Sequence, residues 1–173
     1  AAPADGAVLD LIGTVLSAQQ QAGFIDLALA CPKGGDFYPG AKLARLMGQV
    51  LRRQPQMLST YALPPGSERL RTQIARRAME LGMALRPDNI LITHGCMEAL
   101  QLALRAVTRP GGTVGLESPT YFNLLPLLSS LGLKAVEIPT DPLTGLSLDA
   151  LELLLSENRL NAVVAMPNVH NPL

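Results

Sequence analysis

Tryptophan is absent from the 173-residue chain, tyrosine and phenylalanine occur three times each, and cysteine and histidine only twice. Cys31 and Cys96 stand far apart, with no Cys-x-x-Cys pair and no histidine at ligand spacing, so neither a disulfide framework nor a structural zinc site is readable. Two reduced thiols suit a cytosolic protein. An excess of one charge is missing too. Fourteen Lys and Arg balance fourteen Asp and Glu, which leaves no field to draw phosphate backbones or anionic lipid. The stretch is not by itself a DNA-binding module. No window approaches the roughly 18 apolar residues of a membrane span, and the opening Ala-Ala-Pro-Ala-Asp lacks the basic and apolar regions of a signal peptide. A cytoplasmic chain with no membrane contact is the expectation.

What is present suffices for an ordinary core: 48% of the residues are hydrophobic and 16% charged, in a length suited to one domain. Apolar positions repeating at three and four predict helices over 8–22, 41–53 and after Gly66. In the third, Leu70, Ile74, Ala78 and Leu81 form the apolar face, and Arg69, Arg71, Arg76 and Arg77, like Arg52 and Arg53, read as solvated. Gly82 suits the cap at its end. A turn-rich stretch covers 31–40.

Beyond Pro87 short apolar runs alternate with helical segments. Residues 89–93, 113–117, 134–138 and 161–166 read as strands; 96–107, 121–131 and 148–156 read as the helices between them, the last capped by Ser147. Such alternation demands crossover connections, hence an α/β fold with a mainly parallel sheet and helices on both faces. Ligands in open sheets of this kind bind beyond the carboxyl ends of the strands.

Three such ends carry suggestive residues. Gly95 lies between a strand and a helix start, where free N–H groups and the helix dipole can receive an anion, or where the chain simply turns tightly. Tyr121 follows a Pro-Thr turn and can cover a planar heterocycle, or merely pack at a helix start. Asn171 can donate its amide to a phenolic oxygen, although Asn-Pro is also an ordinary turn. His94 and His170 have no clustered acid or thiol at metal spacing; they read as ordinary polar residues without a catalytic part, and no metal site is expected.

Taken in order, Tyr61-x4-Gly66-x3-Leu70-Arg71, Thr93-His94-Gly95-x-Met97-Glu98-Ala99-Leu100, Glu117-Ser118-Pro119-Thr120-Tyr121 and Asn171-Pro172 resemble the class I/II aminotransferases, the fold-type-I pyridoxal 5'-phosphate (PLP) family. The resemblance spans about residues 24–173, and the order and spacing of four segments are far more specific than any one of them. Within the family the wording is nearest to the aminotransferase-like domain of MocR-type regulators, which carry a GntR-type winged helix ahead of it.

The resemblance implies the first part of a three-layer, PLP-dependent transferase-like large domain, with an N-terminal helix and arm over 1–40 and the partial PLP-binding domain over 41–173. It implies that Gly95, Cys96 and Met97 offer backbone donors to the PLP phosphate, that Tyr121 stacks on the ring, that Asn171 contacts its phenolic oxygen, and that Tyr61 reaches the phosphate of a neighbouring subunit in a homodimer. Ser118-Pro119 and Asn171-Pro172 match frequent cis positions of the family. At Cys96 and Met97, thiol and thioether replace the hydroxyl or amide side chains of many relatives and leave only backbone contacts. The family's pyridinium-binding Asp, Schiff-base Lys and carboxylate-binding Arg follow Asn-Pro and have no counterpart here; Lys33, Lys42 and Lys134 do not match that lysine. PLP occupancy of this stretch alone is therefore expected to be weak or absent, and the stretch inactive by itself. Three functions fit: an effector domain in which an amino acid or amine reacting with PLP biases DNA binding by an upstream winged helix, a genuine aminotransferase acting on an amino acid and a 2-oxo acid, or a degenerate scaffold without cofactor.

Overall fold

The computed structural model describes residues 13–15, 17–18, 23, 35–157 and 159–173. Their contacts define two compact units: Cys31–Glu98, and Ala99–Leu173 with the described residues before Ala30. Most of the helix expected over 8–22 lies outside the described residues, although 13–15 and 17–18 are helical. The turn-rich stretch is described only from residue 35, where a turn leads into the next helix.

In the Cys31–Glu98 unit, α1 runs Gly40–Arg53 and α2 runs Glu68–Glu80, with short 3-10 turns at Pro55–Leu58 and Pro87–Asn89. Gly82 follows α2 with φ +77°. The inward face of α2 differs from the expected one. Of the expected face only Ala78 is buried; Leu70, Ile74 and Leu81 are exposed, and Arg71 and Ala75 join Ala78 along one helical face instead. Arg71, read from sequence as solvated, is only 9% exposed. Its Nε donates to the Gly66 carbonyl at 3.3 Å, its Nη1 to the Pro87 carbonyl at 2.8 Å, and the same nitrogen lies 3.4 Å from Asp88. Two proline-bearing loops thus place carbonyls where a fixed fork of donors is the economical partner, and the guanidinium turns the helix by one position to supply it.

Residues 89–93 do not form the expected strand. Asn89 ends a 3-10 turn begun by Pro87, Ile90 is extended, and the Ile92 N–H donates to the Pro65 carbonyl at 3.0 Å. A β-branched apolar run has strand propensity, but a strand also needs a ladder partner, and among the described residues none lies alongside.

The second unit contains α3 (Cys96–Val107, whose first three residues belong to the other unit), β1 (Thr113–Ser118), α4 (Leu124–Ser130), β2 (Lys134–Asp141), β3 (Gly145–Leu146), α5 (Leu148–Ser156) and β4 (Ala162–Val164). The sheet order is β3-β2-β1-β4. β1 pairs in parallel with β2, Val114 opposite Ala135, and with β4, Val114 opposite Ala162; β2 and β3 form an antiparallel hairpin. Val114, Gly115, Leu116 and Glu117 are all buried, the mark of a central parallel strand covered on both faces. Leu104 of α3, Leu124, Leu127 and Leu128 of α4, Ile138 of β2 and Leu154 of α5 complete the core, and full burial of each such side chain contributes about 1.5–3 kcal/mol.

Boundary shifts have local causes. The helix expected from residue 121 begins at Leu124, because Pro126 has no N–H for the Phe122 carbonyl and is tolerated only in a first turn. β2 is longer than expected since Thr140 and Asp141 pair with β3. β4 is shorter because the Met166 N–H donates to the Glu117 carboxylate instead of a ladder. α5 starts where expected, with the Ser147 hydroxyl accepting from the Ala150 N–H at 3.2 Å.

Arg71→Met keeps length and removes the donors, orphaning two carbonyls; it should lower stability by about 2–3 kcal/mol in urea unfolding, while Arg76→Ala on the exposed face should stay within about 0.5 kcal/mol. The Asp141 carboxyl is held below the usual aspartate value by the N–H groups of Thr144 and then Leu143. A depressed folded pKa means that this turn's contribution is present above the unfolded value and is lost as pH falls through the folded one. Carbon-13 NMR titration should give Asp141 a midpoint below that of an unfolded aspartate, and Asp141→Asn should remove this acid-side loss of hairpin order.

Candidate functional site

In the Cys31–Glu98 unit, Gly95 precedes α3 with φ +101°, and the space beside its Cα is open. A side chain there would be strained, so glycine lets the chain turn directly into the helix, whose first N–H groups have no partner within the helix itself. Cys96 is an exposed free thiol and Met97 is half-buried. Glu98 folds back on the turn: its Oε2 accepts from the His94 N–H and lies 3.1 Å from His94 Nδ1. The His94 backbone bond, then its ring, hold the Glu98 carboxyl below the usual glutamate value. His94, read from sequence as an ordinary polar residue, thus serves the turn.

Tyr61, in the same unit, is 95% exposed. It leads into a cis Pro64-Pro65 bond and Gly66, whose φ is +96°. A Cβ on Gly66 would lie 2.6 Å from the Ile92 Cβ, so the turn and the 90–93 segment approach each other too closely for any side chain.

The other unit carries the remaining two candidates. β1 and β4 are parallel neighbours, so Tyr121 and Asn171 both follow the carboxyl end of adjacent strands. Ser118-Pro119 and Asn171-Pro172 are both cis. Tyr121 is half-buried, its ring edge-on to Phe122 at 5.0 Å and 61°, and its hydroxyl accepts from Asn123 Nδ2 at 2.6 Å. Asn123 was not singled out in the sequence; an amide two residues beyond an aromatic gives no pattern to find. The Thr120 hydroxyl is buried and has no hydrogen-bond partner among the described residues. Asn171 is half-buried beside His170, whose Nε2 lies 3.4 Å from Glu117 Oε2. That contact only the fold reveals, since Glu117 and His170 stand 53 positions apart in the chain.

A cleft of about 670 Å³ opens in this unit with Glu117, Asp141, Leu148, Met166 and His170 among its walls. Tyr121 and Asn171 do not line it, so its size says nothing about a site built on them. Among the described residues no cluster of three acids, histidines or thiols can hold a metal, and no helix is long and apolar enough to cross a membrane.

A parallel α/β sheet with these turns at its strand ends is the architecture of the PLP-dependent transferases, and comparison with known proteins agrees. The chain resembles the crystal structure of an archaeal alanine:glyoxylate aminotransferase with a TM-score of 0.82 and 28% identity, over 97% of this chain and 42% of that one. It is 41% identical over 131 residues to the uncharacterized HTH-type transcriptional regulator YjiR of Escherichia coli K12, and 40% identical over 159 residues to YdcR, a second such regulator of that organism. These alignments cover 76% and 92% of this chain but only 28% and 34% of the regulators. No protein-family model matches. The chain belongs to the class I/II aminotransferase-like family, as part of an aminotransferase-like domain of the kind found in MocR/GntR-type regulators. PLP is the cofactor that this family implies for the intact protein.

Gly66→Ala combines a left-handed backbone with a contact on Ile92 that has no room to yield. It should destabilise the Cys31–Glu98 unit by about 2–5 kcal/mol in chemical unfolding. Gly82→Ala, which meets no neighbour, should show only the smaller backbone part of that loss.

Proposed function

We propose that the chain is part of the PLP-binding effector domain of a MocR/GntR-type transcriptional regulator, a cytoplasmic homodimer that takes an amino acid or amine as effector and reaches DNA only through a separate winged-helix domain. The observation carrying this reading is the 40–41% identity to two HTH-type regulators, against 28% to the aminotransferase of known structure. The donor chemistry agrees with the cofactor. At Gly95 the backbone turns with open space beside it, and the N–H groups of Gly95, Cys96 and Met97 would receive the phosphate with the α3 dipole behind them. Cys96 and Met97 add nothing beyond their backbone, thiol and thioether being weak partners. The Tyr121 ring, steadied by Phe122 and Asn123, would lie against the pyridine face, and Asn171 would donate to the phenolic oxygen. Thr120 brings a hydroxyl that is unpartnered among the described residues next to Tyr121. Exposed Tyr61 would serve the phosphate of a second copy.

When bound, PLP supplies an electron sink for bonds at the amine-bearing carbon. The residues named here bind and orient it. A second reading, a genuine aminotransferase moving an amino group between an amino acid and a 2-oxo acid, draws on the TM-score of 0.82. A shared fold does not separate sensor from enzyme.

PLP titration of the intact protein, followed by absorbance, tests the site. Tyr121→Ala should weaken binding by roughly tenfold, the worth of an aromatic contact, and Asn171→Asp should weaken it further by setting a carboxylate against the phenolate. Failure of the intact protein to bind PLP, or indifference to both changes, would refute the reading. Operator binding that shifts when an amino acid meets the PLP-loaded protein supports the regulator; steady amino-group turnover without a DNA response supports the enzyme.

A further inference from the structure

Glu117 is 3% exposed near the end of a strand whose other inward residues are apolar. An ionised carboxylate in such a place is costly unless donors converge on it. Two do, and both come from the segment after β4. The Met166 N–H donates to Glu117 Oε2 at 2.6 Å, and His170 Nε2 lies 3.4 Å from the same oxygen. His170 Nδ1 accepts from the Leu173 N–H at 3.2 Å, so the neutral ring carries its proton on Nε2, the nitrogen facing Glu117. That nitrogen is buried and makes no aligned hydrogen bond among the described residues. At 3.4 Å the contact is the attraction of a carboxylate for the N–H dipole of a neutral ring, weaker than an ion pair and more dependent on alignment.

Between the two anchors lies Val169, at φ +52° and fully exposed. A β-branched residue in the left-handed region is unfavourable, and with its side chain wholly in solvent Val169 has no packing to keep it there. The conformation is held from its ends, by the Met166 N–H before it and by His170 immediately after. His170 also brackets Asn171, standing beside it in sequence and accepting from Leu173 beyond the Asn171-Pro172 bond.

We propose that Glu117 and His170 act as a positioning pair that fixes the 166–173 loop on the end of β1 and thereby sets the place of Asn171. The consequence for cofactor binding rests on the PLP reading given above; the clamp itself does not. Neither residue needs to touch the cofactor, and both act through the backbone that carries Asn171.

Two measurements separate the parts. Nitrogen-15 NMR of the cofactor-free protein at mildly alkaline pH should show the His170 ring in the Nε2–H form. Glu117→Gln, which exchanges a charged acceptor for a neutral one, should speed exchange of the Met166 amide by roughly tenfold or more, while the Val136 amide of β2 keeps its rate. Should Glu117→Gln fail to fold, His170→Phe preserves the ring's bulk; it should speed exchange of the Leu173 amide and move the Val169 and Asn171 backbone resonances, with the α4 and α5 resonances unmoved. In the intact protein His170→Phe should weaken PLP binding by several-fold, less than loss of the Asn171 amide. A proton on Nδ1, or loop amides indifferent to these substitutions, overturns the pair. Intact clamp signatures in a protein that does not take up PLP uphold the pair and sink the cofactor reading instead.

Discussion

The second unit depends on β1 being buried on both faces. A strand in that position must be apolar on both sides, must be paired along both edges, and must be covered by helices, and Val114, Gly115 and Leu116 meet the first demand. The pairing with β2 and β4 and the leucines of α4 and α5 follow from it. Glu117 is the exception that makes the strand useful. Placed where the apolar run gives out, its carboxylate is met by the Met166 N–H, which arrives at the neighbouring strand end. It therefore ends the β4 ladder early and gathers the loop that carries Asn171, so a charge that costs solvation defines the geometry of a strand end.

The Cys31–Glu98 unit is organised by the same principle with the sign reversed. Its apolar core among the described residues is small, with Ala75 and Ala78 as the buried hydrophobic side chains. Arg71 ties the Gly66 turn to the Pro87 turn, and the Ile92 to Pro65 bond adds a second tie beside it. Loops rich in proline have carbonyls in surplus over N–H groups, and a cation with several donors in a fixed plane balances that surplus. The turns that expose Tyr61 and Gly95 are thus shaped by polar satisfaction more than by burial.

The contacts proposed for PLP follow from the chemistry of that cofactor. A phosphate suits neutral backbone donors at a helix start, which Gly95 leaves open, while a flat aromatic ring suits a tyrosine whose plane and hydroxyl are already fixed. Neither feature depends on the side chains of Cys96 and Met97, since thiol and thioether are weak hydrogen-bond partners. A sensor and an enzyme share these binding requirements and part company over what the bound amine brings about afterwards.

The helices over 96–107 and 148–156 and the strands β1, β2 and β4 were legible in the sequence because periodicity, proline and a Ser cap are local signals, read within a few residues of where they act. The motif order around Tyr61, Gly95, Tyr121 and Asn171 was legible for the same reason. Interactions across long stretches of chain were not. The pattern of α2 pointed to Leu70 and Ile74 as its inward face, and only the carbonyls of Gly66 and Pro87 made Arg71 the buried residue. Residues 89–93 have the composition of a strand, yet strand formation is a property of two segments and the ladder partner was absent among the described residues. Glu117 and His170 each look ordinary where they stand in the sequence; the parallel pairing of β1 with β4 puts them together. Local propensity and motif chemistry are written in neighbouring residues, whereas the pairing of a buried charge is decided by whichever donors the fold brings within reach.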